Sequence, residues 1–163
     1  MLPHGYTKYR QDAILSFTST ITPAELRDRV FGGYTKSCHT EYKYDSMPEH
    51  TLSIVLENDE SVLKRLRPAA KQFKIWYSGG RLYEPDFIAE SKDKIYMIEV
   101  KNRRDISDDS VKLKSKAAMK YCENVNQFTN KKWEYVLLLD SNITRSGTLD
   151  DIIHESSKVK YLT

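Results

Sequence analysis

Cysteine is scarce in this chain, and the scarcity excludes two kinds of small protein. The sequence contains Cys38 and Cys122 and no other cysteine. Two isolated cysteines cannot build a multi-disulfide framework or a four-cysteine zinc site, so we expect a protein of a reducing cytoplasm.

Long hydrophobic runs are also missing. No stretch of the sequence approaches the roughly 20 apolar residues that a transmembrane helix requires. The first residues lack the apolar core of a signal peptide. We therefore expect a soluble, cytoplasmic protein with no membrane partner.

Neither sign of charge is in large excess. The chain has 26 Lys and Arg residues against 23 Asp and Glu residues, which gives a net charge of +3. This balance neither demands nor excludes a nucleic-acid partner, so any basic surface must be local. The length of 163 residues predicts one domain, with its core at about 44–140, an N-terminal extension over 1–43 and a C-terminal tail over 141–163.

Residues 82–101 predict a β-hairpin that carries charge within an apolar pattern. Its arms, 82–89 and 95–101, are rich in Ile, Phe, Tyr and Val, and the polar residues 90–94 are typical of a turn. A tip centred between residues 92 and 93 predicts four cross-strand pairs: Glu90 with Ile95, Ile88 with Met97, Asp86 with Glu99, and Glu84 with Lys101.

This register places two carboxylates against each other. Because side chains alternate along a strand, Asp86, Glu99 and Lys101 project from one face. Directly opposed like charges destabilise a sheet unless a cation or a proton compensates them. The pattern therefore indicates a divalent metal with oxygen ligands.

The rest of the chain predicts helices on the faces of a mixed sheet. Thr22, Pro23 and Glu25 predict a helix start with a capping box, and that helix should end at Gly32 and Gly33. Further helices are predicted over 46–57, with Glu49 bordering the buried face, and over 60–67, 110–126 and 148–156, the last in a peripheral tail. Strands are predicted at 73–77 and 133–139, with 34–44 as an exposed strand or arm. A long helix between two strands is the crossover that parallel neighbours require, so the fold class is α/β.

Pro85-Asp86, followed after twelve intervening residues by Glu99-Val-Lys101, resembles the signature of the PD-(D/E)XK nuclease superfamily. The wider sequence resembles the C-terminal endonuclease domain of type III restriction enzyme Res-like subunits, in blocks at 31–39, 44–49, 62–68, 83–88, 98–101, 116–122 and 133–136. The resemblance implies a restriction-endonuclease-like core, a four-stranded mixed sheet in the order αβββαβ. It also implies an Mg²⁺-dependent DNA endonuclease of a restriction or defence system, with helicase or translocase and methyltransferase subunits as partners.

Such subunits carry a helicase-type ATPase, and here no GxxxxGK[ST] phosphate loop is present. ATP-driven translocation is therefore not expected of this chain. It is either an excised domain or a stand-alone nuclease.

The resemblance assigns a role to each charged residue of the hairpin. Asp86, Glu99 and the carbonyl of Val100 are expected to hold Mg²⁺, for which Mn²⁺ would substitute. Lys101 is expected to orient or deprotonate the attacking water and to offset charge at the phosphate. By analogy with the acid on the family's first helix, Glu49 would ligate metal through water or a second ion, although a capping-box Glu already has a structural role.

Other interpretations of these residues stay open. Lys101 could pair with Glu84 across the strands, and Asp86 could cap a turn behind Pro85. Arg103 and Arg104, just after the second arm, are expected to contact DNA phosphates, whereas Lys112 and Lys116 suit a solvated helix face as well as a DNA contact. Alternative functions are a catalytically latent DNA-binding module in a larger complex, or a stand-alone nuclease acting on branched DNA or RNA.

Overall fold

A computed structural model describes residues 14–159, so residues 1–13 of the predicted N-terminal extension and residues 160–163 of the tail lie outside the described residues. None of the helices among residues 14–159 combines the length and hydropathy that a bilayer-spanning helix needs.

A small sheet forms first. Strand β1 (Ile14–Ser16) precedes helix α1 (Pro23–Leu26), and strands β2 (Val30–Gly32) and β3 (Glu41–Tyr42) follow. The order is β1-β2-β3, with β1 parallel and β3 antiparallel to β2.

The capping box at Thr22 is confirmed, since the Glu25 carboxylate accepts a hydrogen bond from the Thr22 backbone N–H at 2.9 Å. The sequence predicted that this helix would end at Gly32, but it ends at Leu26. Residues 30–32 instead form strand β2, which pairs with β1 and β3. Residues 34–44 are not an exposed arm, since Tyr42 and Tyr44 are buried in the main core.

The central sheet has four strands. Helix α2 (Met47–Asn58) leads into β4 (Val62–Leu66), and a two-stranded hairpin, β5 (Ile75–Tyr77) and β6 (Arg81–Tyr83), comes next. Strands β7 (Phe87–Ser91) and β8 (Lys94–Lys101), helix α3 (Asp109–Val125), strand β9 (Lys132–Leu139), a short 3-10 helix (Asp140–Asn142) and helix α4 (Leu149–Ser157) complete the described chain. The sheet order is β4-β7-β8-β9.

The predicted hairpin register is confirmed for two of its four pairs. The ladder ends at Phe87 and Ile98, so Asp86–Glu99 and Glu84–Lys101 are not ladder pairs, and Leu82 and Tyr83 of the predicted first arm pair with β5 instead. Ile88 pairs with Met97 and Glu90 with Ile95 across the antiparallel strands β7 and β8. Strand β9 runs parallel to β8 after the crossover helix α3, so the sheet is mixed, as expected. The described chain is therefore of the α/β class.

The prediction of a helix over 60–67 is wrong, because β4 occupies this segment and pairs antiparallel with β7. The prediction of a peripheral tail is also wrong. Ile143, Leu149 and Ile152 are buried in the main hydrophobic core together with Phe87 and Ile98. The core therefore extends beyond residues 44–140.

Candidate active site

The ladder between β7 and β8 ends beside Asp86. Phe87 and Ile98 are the last paired residues, and the Asp86 backbone N–H donates to the Ile98 carbonyl at 3.0 Å. The Asp86 carboxylate then accepts a hydrogen bond from the Val100 backbone N–H at 2.8 Å. This bond fixes the Asp86 side chain next to the segment that contains Glu99, where the register predicted it.

Glu99 is a buried carboxylate whose two oxygens have different surroundings. The residue is 4% exposed, and its Oε1 lies 2.7 Å from Lys101 Nζ. Its Oε2 is buried and has no hydrogen-bond partner among residues 14–159. A buried carboxylate oxygen without a donor is costly, so this atom requires an explanation.

The carboxylates influence one another. Burial and the Glu99 charge raise the pKa of Asp86 to about 7, although the Val100 N–H, Lys101 and Arg67 oppose the shift. Burial also raises the pKa of Glu49, and Asp86 contributes to that increase against the opposing charge of Arg67. The structure thus brings Glu49, Asp86 and Glu99 into one electrostatic cluster.

Lys101 is the cation nearest to these acids. Burial alone would lower its pKa, but Glu99, Asp86 and Glu49 outweigh burial and raise the pKa above its ordinary value. Without a metal, Lys101 is therefore a stable ammonium group and not a base. The proposed cross-strand pair between Lys101 and Glu84 is wrong, since Lys101 pairs with Glu99 and the Glu84 carboxylate accepts the Lys71 backbone N–H.

Glu49 reaches the cluster from the first turn of α2. The helix begins after Ser46, whose hydroxyl accepts the Glu49 N–H at 3.4 Å, as the capping-box prediction requires. The Glu49 carboxylate does not complete the box at Ser46. It accepts the Asp45 N–H at 3.3 Å and lies 2.7 Å from the Arg67 guanidinium.

Arg67 is the site residue that the sequence reasoning missed. It follows β4, contacts Glu49 and also lies 2.9 Å from the Asp45 carboxylate. The sequence signal for Arg67 was its position in the block 62–68. This block is one of those that carry the family resemblance, but no chemical role was expected of it. Because the segment was expected to be a helix, nothing indicated that Arg67 would face Glu49.

Tyr83, the last residue of β6, is a core aromatic residue whose polar end lies near the site. Its hydroxyl group is buried and lacks a hydrogen-bond partner among residues 14–159. Burial, followed by the negative charge of Glu99, raises the pKa of this phenol well above its usual range, so the hydroxyl stays protonated. A hydrogen-bond donor therefore lies near the Glu99 carboxylate.

The predicted DNA contacts lie outside this cluster. Arg103 and Arg104 are exposed in the loop that follows β8. Lys116 is exposed and Lys112 half-buried on α3. None of the four forms an ion pair with another residue in the range 14–159.

The donor set suits a hard divalent cation with few protein ligands. Between residues 14 and 159, no three His, Cys, Asp or Glu side chains converge as a ready metal site. Mg²⁺ needs only one or two carboxylates because it retains its waters. Asp86 and the unpartnered Oε2 of Glu99 supply two such carboxylates, so the residues present fit this ion.

Comparison with family models and curated proteins does not assign a function, so the assignment of a function depends on the geometry of the site. No protein-family model matches the sequence, and no curated protein matches it significantly.

Proposed function

We propose that this chain is a metal-dependent nuclease that hydrolyses DNA phosphodiester bonds at Asp86, Glu99 and Lys101. The observation that carries the proposal is the buried Glu99 carboxylate, which has Lys101 Nζ at 2.7 Å from one oxygen and no partner for the other. The nearby Asp86 increases the negative charge at the same point. A bound cation would compensate for this unfavourable arrangement.

The order of elements around the central sheet supports the family resemblance. Helix α2, strands β4, β7 and β8, helix α3 and strand β9 give αβββαβ when the separate β5–β6 hairpin is set aside as an insertion after β4. The first strand of this order is β4, which the sequence predicted as a helix, whereas the predicted strand at 73–77 lies in the separate hairpin. A restriction-endonuclease-like core of the PD-(D/E)XK type has this order. The proposal therefore includes that fold, and with it the likeness to type III restriction nuclease domains.

The protein groups have separate tasks in this proposal. Asp86 and Glu99 hold the ion, the Val100 carbonyl is the third protein ligand, and Val100 N–H orients Asp86. Mg²⁺ or Mn²⁺ bound there would supply a more acidic water and neutralise charge on the phosphate. Lys101, as an ammonium group, orients the attacking water and stabilises the developing negative charge. Arg67 positions Glu49, which acts through water or a second ion.

The substrate and partners belong to the same proposal. Arg103 and Arg104 emerge directly after β8, so they are placed to contact the phosphates beside the cleaved bond. We propose that the protein acts in the cytoplasm within a restriction or defence system. Helicase or translocase and methyltransferase subunits would then supply target selection.

Cleavage of supercoiled plasmid in Mg²⁺ or Mn²⁺ tests the proposal directly. We expect nicking by the wild type, and a loss of at least about 100-fold in Asp86→Asn and Lys101→Ala. Asp93→Asn is the matched control, because Asp93 is an exposed acid at the tip of the same hairpin. Equal cleavage by wild type and Asp86→Asn would overturn the assignment.

A catalytically latent DNA-binding module is the second candidate. The observation that favours it is the Glu49–Arg67 ion pair at 2.7 Å, because Arg67 already neutralises Glu49, the third acid of the site. In that case the wild type would bind DNA but would not cleave it in either metal, alone or with partner subunits. Cleavage that disappears in Asp86→Asn would exclude the latent module.

A further inference from the structure

The segment over residues 71–83 combines positive charge with exposed aromatic surface next to the candidate site. It contains Lys71, Lys74 and Arg81 and no Asp or Glu, although the whole chain is nearly balanced in charge. All three basic residues are exposed, and none forms an ion pair with another described residue. Exposed basic residues of this kind attract a polyanion, and one acid, Glu84, directly follows the segment and accepts the Lys71 backbone N–H.

Trp76 is one of two large aromatic residues, together with Phe128, that are mostly exposed among residues 14–159. Its side chain is 66% exposed on strand β5, directly opposite Leu82 of β6. The neighbouring pair, Ile75 and Tyr83, is buried against Met97 and helix α3. The base of the hairpin is therefore anchored in the core while Trp76 faces outward.

The tip of this hairpin stands clear of the remaining described residues. Gly79 and Gly80 have φ angles of 71° and 77°, and a Cβ added to either would meet nothing within 4 Å. Positive φ favours glycine, so the tight turn is encoded by the Gly-Gly sequence. The turn leaves room for a ligand along the outer face of β5 and β6.

The hairpin also lies close to the proposed catalytic residues. Leu82, which faces Trp76, is four residues before Asp86, and an extended chain spans at most about 3.6 Å per residue. With roughly 5 Å between opposed residues, the Trp76 backbone lies within roughly 20 Å of Asp86. At about 3.4 Å per nucleotide, this distance corresponds to about six nucleotides.

We propose that the β5–β6 hairpin binds single-stranded nucleic acid, with Trp76 stacking on a base and Lys74, which precedes it by two residues and shares its face, contacting the adjacent phosphate. Exposed aromatic rings with flanking cations bind single strands because every unpaired base offers a face for stacking. A duplex keeps its bases stacked on one another, so it would engage the cations alone. This inference extends the proposed nuclease function, to which it assigns single-stranded regions, flaps or ends as the preferred substrate.

Tryptophan fluorescence measures this binding without any cleavage. Trp133 is the second tryptophan of the chain, so Trp133→Phe leaves Trp76 as the single reporter. In EDTA, we expect saturable quenching by short oligothymidylate and weaker quenching by a duplex of equal length. An oligouridylate arm distinguishes RNA from DNA.

Substitutions then separate stacking from charge. Trp76→Ala should weaken single-strand binding about five- to 100-fold, measured by anisotropy of a labelled oligonucleotide, and should change duplex binding little. Lys74→Gln should reduce the slope of log K against log salt by about 0.7, whereas Arg81→Gln, on the opposite face of the hairpin, should change the slope less. Phe128→Ala is the matched control, because Phe128 is 85% exposed near the Lys94–Lys132 end of the sheet, away from Lys101.

Two results would overturn the inference: no quenching of Trp76 by any oligonucleotide, or equal effects of Trp76→Ala and Phe128→Ala. Repeating the titration with Asp86→Asn makes its outcome independent of catalysis. If binding persists while cleavage is never found, the nuclease proposal alone fails. If plasmid cleavage is found but Trp76→Ala leaves single-strand binding unchanged, the role of the hairpin alone fails.

Discussion

The arrangement of several residues in the candidate site lowers the stability of the folded protein. Asp86 is held beside Glu99, whose carboxylate is buried with the protonated Tyr83 hydroxyl nearby. Crowded, buried carboxylates reduce stability, so folding alone does not explain their arrangement. A bound cation would compensate the two carboxylates, and the metal-free protein should show the cost.

Replacing Asp86 tests this cost through its dependence on pH. The pKa of Asp86 is raised to about 7, whereas that of an unfolded Asp is about 3.9. The stability from the protonated carboxyl is therefore fully present below about pH 4 and is lost as pH rises to about 7. Because Asn cannot ionise, Asp86→Asn should gain on the order of 2 kcal/mol relative to wild type between pH 4.5 and pH 8.

Urea denaturation in EDTA at several pH values measures this difference. Asp93→Asn should follow the wild type throughout, because Asp93 is exposed. Added Mg²⁺ should stabilise the wild type more than Asp86→Asn at pH 8, since Asp86 is a proposed ligand. A constant difference between Asp86→Asn and wild type from pH 4.5 to pH 8 would contradict the raised pKa.

At the scale of elements, ion pairs join helix α2 to the β4 region at both ends of the helix. Glu49 in its first turn lies 2.7 Å from Arg67, and Glu57 in its last turn lies 3.1 Å from Arg65. Arg65 is only 1% exposed, and its guanidinium lies 4.4 Å from the centroid of the Tyr34 ring. The helix that delivers Glu49 is therefore held in position by contacts outside the site.

Strand β4 shows where sequence patterns fail. Val62, Leu63 and Leu66 have helical spacing, whereas in the structure Val62 and Arg65 are buried and Leu63 is exposed. A register irregularity between Val62 and Lys64 shifts the alternation, and hydropathy cannot anticipate a buried arginine. Its ion-pair partner, Glu57, lies in a different element, so no local pattern could reveal the pair.

The β7–β8 hairpin shows the opposite case. Its register was predictable because both arms are rich in strand-forming residues and a short polar turn fixes the pairing. The mutual placement of Asp86, Glu99 and Lys101 follows from that local geometry. Arg67 could not be predicted in the same way, because its contact with Glu49 depends on how α2 packs beside β4.

A double-mutant cycle measures the contact between Glu49 and Arg67. Their side chains are 14% and 15% exposed, so Arg67→Ala leaves a mostly buried carboxylate without its cation and should destabilise the protein by about 1–3 kcal/mol. Glu49→Ala combined with Arg67→Ala should cost less than the sum of the single changes, by about 1 kcal/mol.

The exposed pair of Lys120 and Glu123 on α3, 3.7 Å apart, is the control for this cycle. Solvent screening should reduce its coupling energy to nearly zero. Urea denaturation of the four proteins of each cycle gives both coupling energies. Equal coupling in the two pairs would show that the Glu49–Arg67 contact does not hold α2 in place.

At the scale of the whole molecule, both ends of the described chain contribute to one core. Leu26 and Phe31 from the N-terminal side and Ile143, Leu149 and Ile152 from the C-terminal side are buried with residues of the central sheet. Helix α4 is also bonded to the sheet, since the Ser156 hydroxyl accepts the Leu139 backbone N–H at 3.0 Å. The segments outside residues 44–140 thus support the sheet that carries the site.

Truncation of Ile152 tests whether the C-terminal helix is part of the folding unit. Ile152 is 2% exposed in the main core, so Ile152→Ala should lower the free energy of unfolding by about 2–4 kcal/mol. Leu113→Ala is the control, because Leu113 is 38% exposed on α3 and its truncation should cost much less. Urea denaturation with an unchanged m-value measures both costs. If the two substitutions cost the same, α4 would be dispensable for the core, as a peripheral tail would be.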